Sequence, residues 1–165
     1  MYRAIVASRI RRAWRHIDQG DYVHVLDQLA PRFVHRFAGD HALAGTRHHP
    51  EAARAWYQRL YRLLPGIRFE VTDVLVAGWP WRTRAVALVK VHATVADGPY
   101  ENDLAQVVDL RWGRITGLSM HEDSQKLAAA LARLHAAGVP EAAAPPIQDP
   151  AAPVSPRTPA PAPRR

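Results

Sequence analysis

The stretch Tyr100–Ser124 constrains the fold of this chain more than any other. Its sequence, YENDLAQVVDLRWGRITGLSMHEDS, has an apolar-rich run on each side of Trp112-Gly113. A glycine-containing pair between two such runs is typical of a β-hairpin closed by a two-residue turn. This turn would place Arg111 opposite Arg114 and would fix every later pairing between the two strands.

The predicted pairing gathers polar side chains on one face of the hairpin, because strand side chains alternate between faces. These polar residues, which share the face with aliphatic side chains, are Asn102, Gln106, Ser119, His121 and Asp123. An apolar floor with a few convergent polar groups is typical of a small-molecule pocket. The opposite face carries an apolar set of Ala105, Val107, Leu118 and Met120. Because monomers rarely expose such a patch, we expect a homodimer formed through that face.

A long strand over residues 82–96 precedes the hairpin. Pro99 follows this strand closely and has no N–H to donate to a sheet. We therefore predict a three-residue loop after Ala96. On that register Lys90 and His92 join the pocket face.

Apolar residues at helical spacing predict helices on both sides of the strands. The predicted helices cover residues 1–17, 22–30, 51–64 and 124–137, and the other predicted strands cover residues 33–38 and 67–77. Pro50 and Glu51 are favourable in the first turn of a helix. Tyr57 and Trp81 are candidates either to line a cavity or to fill the core.

The composition excludes several classes of protein. There is no cysteine, so disulfides and thiol chemistry are absent, and no apolar run approaches the length of a membrane span. The net charge of +7 comes from scattered arginines rather than a basic patch. The loop residues Asp40, His41, His48 and His49 match no tetrahedral metal signature. We expect a soluble, cytoplasmic protein with no cofactor and no metal, and with neither nucleic acid nor a membrane as partner.

Proline and alanine dominate the chain from Pro140 to Arg165. Such a segment cannot bury a core and is predicted to be disordered. The predicted organisation is therefore one domain over 1–139 and a tail over 140–165. Deleting the tail after Val139 is expected to leave the melting temperature nearly unchanged.

The order of these elements, with the phrases FAGDHALAG, GWPWRTR, DGPYEN and LRWGRITGLSMHED, resembles the SnoaL-like branch of the nuclear transport factor 2-like superfamily. The resemblance covers roughly Ile5 to Leu134. It implies an α+β fold in which a curved antiparallel sheet wraps over N-terminal helices as a cone, followed by a short C-terminal helix. The superfamily includes polyketide cyclases, ketosteroid isomerase, limonene-epoxide hydrolase and non-catalytic binding members, so it implies no single activity.

The motif comparison is best with limonene-epoxide hydrolase, where a turn similar to GRIT at 113–116 precedes an aspartate that corresponds to Asp123. The Arg-x-Asp pair of that enzyme has KVH at 90–92 as its counterpart here, so the acid of the pair is missing. In SnoaL-type cyclases a histidine and an aspartate perform acid/base work. His121 and Asp123 supply these two residue types.

These observations lead to two hypotheses. In the first, Asp123 is the general acid or base, His121 or His92 assists, and the protein performs cofactor-free isomerase, cyclase or hydrolase chemistry on a small hydrophobic carbonyl compound. The predicted ligand contacts are Lys90, Asn102, Gln106, Tyr57 and Trp81. In the second, the domain is a non-catalytic ligand-binding or dimeric interaction module. Asp123 also precedes a predicted helix, where aspartate is a favoured N-cap.

Overall fold

The computed structural model describes residues 1–96 and 98–149, which contain four α-helices and six strands. The helices are α1 (Tyr2–Asp18), α2 (Val23–Leu26), α3 (Pro50–Leu63) and α4 (Ser124–Ala136), and a 3-10 helix covers Pro140–Ala143. The strands are β1 (Leu29–Phe37), β2 (Gly45–Arg47), β3 (Arg68–Trp79), β4 (Arg82–Val95), β5 (Gly98–Arg111) and β6 (Arg114–Glu122). None of the described helices is both long and apolar enough to cross a bilayer.

The strands form one curved open sheet in the order β2-β1-β6-β5-β4-β3. Only β1 and β6 run parallel; every other neighbouring pair is antiparallel. The inner face of the sheet packs on the helices, and the outer face lies away from them. The predicted α+β cone is confirmed.

The long helices bury the faces that their apolar spacing predicts. The buried residues of α1 are Val6, Ile10, Trp14 and Ile17. Pro50 occupies the start of α3, as expected from its fixed backbone angle. β1 begins at Leu29, before the predicted start at Phe33, so Pro31 lies within the strand rather than ahead of it. The strand tolerates this proline where its pairing with β6 is irregular, between Leu29 and Val34.

The Trp112-Gly113 turn is present, but the register beyond it differs from the prediction. Arg111 pairs with Arg114 as expected. An irregularity then leaves Thr116 without a partner, and Val108 pairs with Leu118 instead of Gly117. Because one extra residue reverses the facing of a strand, the side chains of β6 after this bulge lie on the faces opposite to those predicted.

The loop between β4 and β5 is also shorter than predicted. Val95 pairs with Gly98, so two residues connect the strands, and Thr94 pairs with Pro99. Pairs in an antiparallel ladder alternate between bonded and non-bonded types. Pro99 therefore falls at a non-bonded position, where no N–H is needed. The prediction of a three-residue loop is wrong, and Lys90 and His92 lie on the outer face.

The segment 140–149, predicted as tail, packs on the domain. Glu141 forms ion pairs with Arg59 and Arg62. The Asp149 carboxylate accepts hydrogen bonds from the backbone N–H of His48, at 2.7 and 2.9 Å, and of His49, at 3.0 Å, where α3 begins. We call residues 140–149 the strap. The boundary predicted at Val139 is wrong, and the rest of the predicted tail lies outside the described residues.

Candidate functional site

The cone encloses a cavity of about 80 Å³. Most of its wall is apolar and comes from the four helices and five of the six strands. Its polar lining residues are Tyr57, Tyr100, Gln106 and Glu122, with Arg9 and Gln28 at the more exposed end. Apolar walls with a few polar groups are typical of ligand pockets.

Glu122 is the carboxylate that faces this cavity. It lies one residue before the predicted candidate Asp123, and the bulge at Thr116 turns it inward together with Leu118 and Met120. Burial in the apolar wall raises the pKa of Glu122 to about 7, and the charge of Asp123 adds to the increase. A carboxyl group with such a pKa exchanges protons near neutral pH.

Tyr100 and Asn102 form a hydrogen-bonded chain that leads to Glu122. Asn102 donates from Nδ2 to the Tyr100 hydroxyl at 2.8 Å, and this hydroxyl donates to Glu122 Oε1 at 3.4 Å. Asn102 is held by the backbone, since Nδ2 also donates to the Asp123 carbonyl and Oδ1 accepts from the Asp103 N–H. Burial, followed by the charge of Glu122, raises the pKa of Tyr100. Tyr100 therefore stays protonated and keeps its donor.

Three of the residues predicted to contact a ligand lie in the cone. Asn102 and Gln106 are buried on the inner face of β5, and Tyr57 lines the cavity from α3. Asn102 does not line the cavity itself, but it donates a hydrogen bond to Tyr100, which does. The predicted inward facing of Asn102 and Gln106 is seen because the inner residues of β5 alternate without interruption up to the bulge, whereas ligand contact by these residues stays a prediction.

The other predicted residues lie outside the cone. His121 is exposed on the outer face, Lys90 is exposed opposite Asp103, and His92 faces Glu101 with an Nδ1–Oε1 distance of 3.5 Å. Trp81 is exposed in the β3–β4 turn. The two register differences account for the three strand residues, so their predicted places in the pocket are wrong.

Asp123 is the N-cap of α4. Its Oδ1 accepts hydrogen bonds from the backbone N–H groups of Gln125 and Lys126, both at 3.1 Å. Its side chain is exposed and does not line the cavity. Of the two alternatives that the sequence left open for Asp123, the structure supports the cap.

A second buried polar group, which the sequence did not indicate, lies where β1 meets β2. Arg47 is fully buried and donates from Nε to His35 Nδ1 at 2.9 Å. Its guanidinium also donates to the carbonyls of Ala44, Gly45 and Ile147 and lies 5.4 Å from the ring centre of Trp56. Burial, followed by the charge of Arg47, lowers the pKa of His35 to about 3. This imidazole is therefore neutral.

A curved sheet wrapped over N-terminal helices around an apolar cavity defines a cone-shaped α+β domain. The SnoaL-like domain family matches residues 10–118, which is more than half of the sequence. The chain belongs to this family. A comparison with curated proteins gives no match.

Solved structures with this fold share little sequence with the chain. The pinacolase BvnE from Penicillium brevicompactum has a TM-score of 0.67 at 15% identity, covering 84% of this chain and 98% of its own. An NTF2-like protein from Burkholderia pseudomallei K96243 has a TM-score of 0.61 at 19% identity, covering 73% and 92%. Bal32a, from a soil-derived mobile gene cassette, has a TM-score of 0.60 at 17% identity, covering 69% and 86%. At these identities the likeness shows the fold alone.

Proposed function

We propose that the cone binds a small hydrophobic carbonyl compound and moves a proton on it without a cofactor, as in isomerase or cyclase chemistry. The observation that carries the proposal is Glu122, a carboxyl group with a pKa near 7 on the wall of an apolar cavity. A general acid or base works best when its pKa lies near the operating pH. The fold shared with the pinacolase BvnE also supports an enzymatic role.

The proposed step uses the two groups that meet in the cavity. The Glu122 carboxylate removes a proton from a carbon next to the ligand carbonyl, and the electron pair of that C–H bond moves to the carbonyl oxygen as an enolate. The Tyr100 hydroxyl turns its single O–H from Glu122 to this oxygen and donates a hydrogen bond to it, while the hydroxyl oxygen accepts from Asn102. Protonated Glu122 then returns the proton to the same or another carbon.

The test is hydrogen–deuterium exchange at carbons next to the carbonyl, followed by NMR for a panel of small hydrophobic ketones in D₂O. We expect the wild type to catalyse exchange and Glu122→Gln to slow it by about 10²-fold or more. Asp123→Asn is the matched control and should leave the rate unchanged. Equal rates for the wild type and Glu122→Gln would remove Glu122 from the mechanism.

The alternative function is a non-catalytic ligand-binding module. It would show as a hydrophobic molecule that co-purifies in native mass spectrometry and is bound equally by the wild type and Glu122→Gln, with no exchange in either protein. The small cavity favours a compact ligand in both cases.

Homodimerisation remains part of the proposal, with a corrected interface. Leu118 and Met120 belong to the core and cannot form it. On the outer face, Leu75 pairs with Val86, which pairs with Val107, and exposed Leu88 lies nearby on β4. Replacing Leu75 and Leu88 with lysine should give a folded monomer in light scattering. A wild type that is already monomeric at micromolar concentration contradicts the proposal.

A further inference from the structure

Three exposed tryptophans meet at the turns of two neighbouring hairpins. Trp79, Trp81 and Trp112 are 62%, 53% and 70% exposed. The rings of Trp79 and Trp81 stack with centres 5.9 Å apart, and Trp112 lies 6.3 Å from Trp81. The Trp112 N–H donates to the Pro80 carbonyl at 2.7 Å, which joins the two turns. The chain therefore presents a fixed aromatic surface to solvent rather than scattered side chains.

The backbone at Trp112 is unfavourable for this residue. Trp112 has φ 51° and Gly113 has φ 78°, which are the angles of a turn that asparagine-glycine forms most readily. A large side chain in the left-handed region is a genuine outlier. Little packing compensates for it, because most of the ring is exposed. Residues held in such sparsely populated backbone conformations cluster at functional sites.

A row of arginines lies behind the tryptophans. Thr83 pairs with Leu110, so the residues one step nearer the turns, Arg82 and Arg111, lie side by side, and Arg111 pairs with Arg114. None of the three forms an ion pair within the described part of the chain, and Arg114 donates to the Asp27 carbonyl at 2.8 Å. Like charges placed opposite each other across a sheet repel. An anionic partner would relieve this repulsion.

We propose that this surface docks on an anionic phospholipid bilayer. We call it the tryptophan–arginine tip, and it consists of Trp79, Trp81, Trp112, Arg82, Arg111 and Arg114. Tryptophan rings prefer the headgroup region of a membrane, and arginines beside them are attracted to anionic lipids. Docking of this kind is peripheral and needs no spanning segment. It replaces the expectation of no membrane partner, and it stands independently of the proposed reaction.

Other occupants fit the tip less well. A second copy would bring an identical row of arginines against the first. A single-stranded nucleic acid is held in a basic groove with open aromatic faces, whereas the tip lies at two hairpin turns and Trp79 and Trp81 stack on each other. The combination of exposed rings with arginines that form no ion pair in the described part of the chain matches an anionic lipid surface best.

The test is flotation of the full chain with vesicles of phosphatidylcholine, with and without an equal share of phosphatidylglycerol. We expect binding only to the anionic vesicles, weakened by salt. Combining Trp79→Ser, Trp81→Ser and Trp112→Asn, where asparagine suits the turn, should weaken it by more than about tenfold. Arg82→Gln with Arg111→Gln should weaken it by about fivefold for each arginine. Val34→Ser and Arg36→Gln, both exposed on β1 and outside the tip, are the controls and should bind as the wild type does.

Several outcomes overturn the proposal. One is a wild type that does not float with anionic vesicles, and another is a tryptophan variant that binds as well as the controls. Tighter binding of the wild type to a thymidine oligonucleotide, lost in the tryptophan variant, assigns the tip to single strands instead. A dimer that the tryptophan variant converts to a monomer assigns it to a second copy. Equal melting temperatures of the variants and the wild type establish that a loss of binding is not a loss of fold.

Discussion

Two of the buried polar groups of this domain, those of Arg47 and Glu122, differ in how completely the protein satisfies them. Arg47 donates to His35 and to three backbone carbonyls, and no part of it reaches solvent. Glu122 has one long hydrogen bond, from Tyr100, and faces a cavity. The Arg47 guanidinium has acceptors for all three of its nitrogens inside the protein, and Nε2 of its partner His35 is buried without a hydrogen bond among the described residues. Glu122, by contrast, keeps hydrogen-bonding capacity beside the cavity.

This difference separates a structural role from a chemical one. A buried cation surrounded by fixed acceptors holds the local backbone in place, since moving any partner leaves a polar group unsatisfied. A carboxyl group in an apolar wall is held less favourably in its charged form, and its pKa rises. Burial alone does not mark a functional residue, but burial with an open bonding position beside a cavity does.

The largest expected effect comes from removing Arg47. Arg47→Ala leaves His35 Nδ1 and the three carbonyls without their donor, and each unsatisfied buried group is costly. We expect the free energy of unfolding, measured with denaturant, to fall by at least about 3 kcal/mol. The matched control is Arg36→Ala, an exposed arginine on β1, which should change it by about 0.5 kcal/mol or less. A loss at Arg47 no larger than that of the control would show that the group is not structural.

The second prediction concerns pH, because the two groups titrate in opposite senses. The pKa of Glu122 rises on folding from 4.5 to about 7, so between these values the native state holds a proton that the unfolded state releases. Glu122 therefore lowers stability as pH rises through that window. The pKa of His35 falls from 6.5 to about 3, so its contribution is lost as pH falls below 6.5.

Glu122→Gln isolates the Glu122 contribution. Glutamine has a similar shape and does not titrate, so the variant should match the wild type near pH 4 and exceed its stability at pH 8. The difference in unfolding free energy should reach at most about 3 kcal/mol. Urea unfolding at a series of pH values measures it. A constant difference across the series would mean that Glu122 does not titrate in this window.

The comparison also shows what could be predicted from the sequence. The Trp112-Gly113 turn and the buried faces of the long helices are local features, and both predictions are confirmed. The bulge at Thr116 is not local. It lies where β6 pairs with β1, with Gly117 beside Val34 on one side and Asp109 on the other. Counting residues from the turn therefore assigns the wrong faces to the rest of β6.

A second signal in the sequence could have identified Glu122. Leu118 and Met120 alternate with polar residues, and hydrophobic alternation favours placing both in the core. Continuing that alternation places Glu122 inside as well. The conflict between this pattern and the turn was itself evidence for a bulge. The strap gave no such signal, because its composition indicates disorder and its partners lie 79 to 101 residues away.

The third prediction tests how far the Arg47 group depends on the strap. Truncation after Val139 removes the Ile147 carbonyl from Arg47 and the Asp149 carboxylate from the start of α3. It also removes the Glu141 ion pairs, which are partly exposed and contribute little. We expect a loss of about 2 kcal/mol in thermal or denaturant unfolding. Truncation after Asp149 is the control and should have almost no effect, whereas equal stabilities of both truncated chains would show that the strap does not support the Arg47 group.

The smallest expected effect lies at Asp123, next to Glu122 in sequence but on the outside of the cone. Asp123→Ala removes the acceptor for the N–H groups of Gln125 and Lys126 and should lower the unfolding free energy by about 1 kcal/mol, whereas Asp123→Asn should lower it very little, because asparagine caps about as well. Neither change should affect deuterium exchange on a ketone, since the Asp123 side chain does not line the cavity.

Denaturant unfolding and the exchange assay on the same two variants measure both properties. Loss of exchange in Asp123→Asn at unchanged stability would return the catalytic role to Asp123. Loss of exchange in Glu122→Gln alone would mean that two adjacent carboxylates have separate roles because a single bulged residue points them to opposite sides of the sheet.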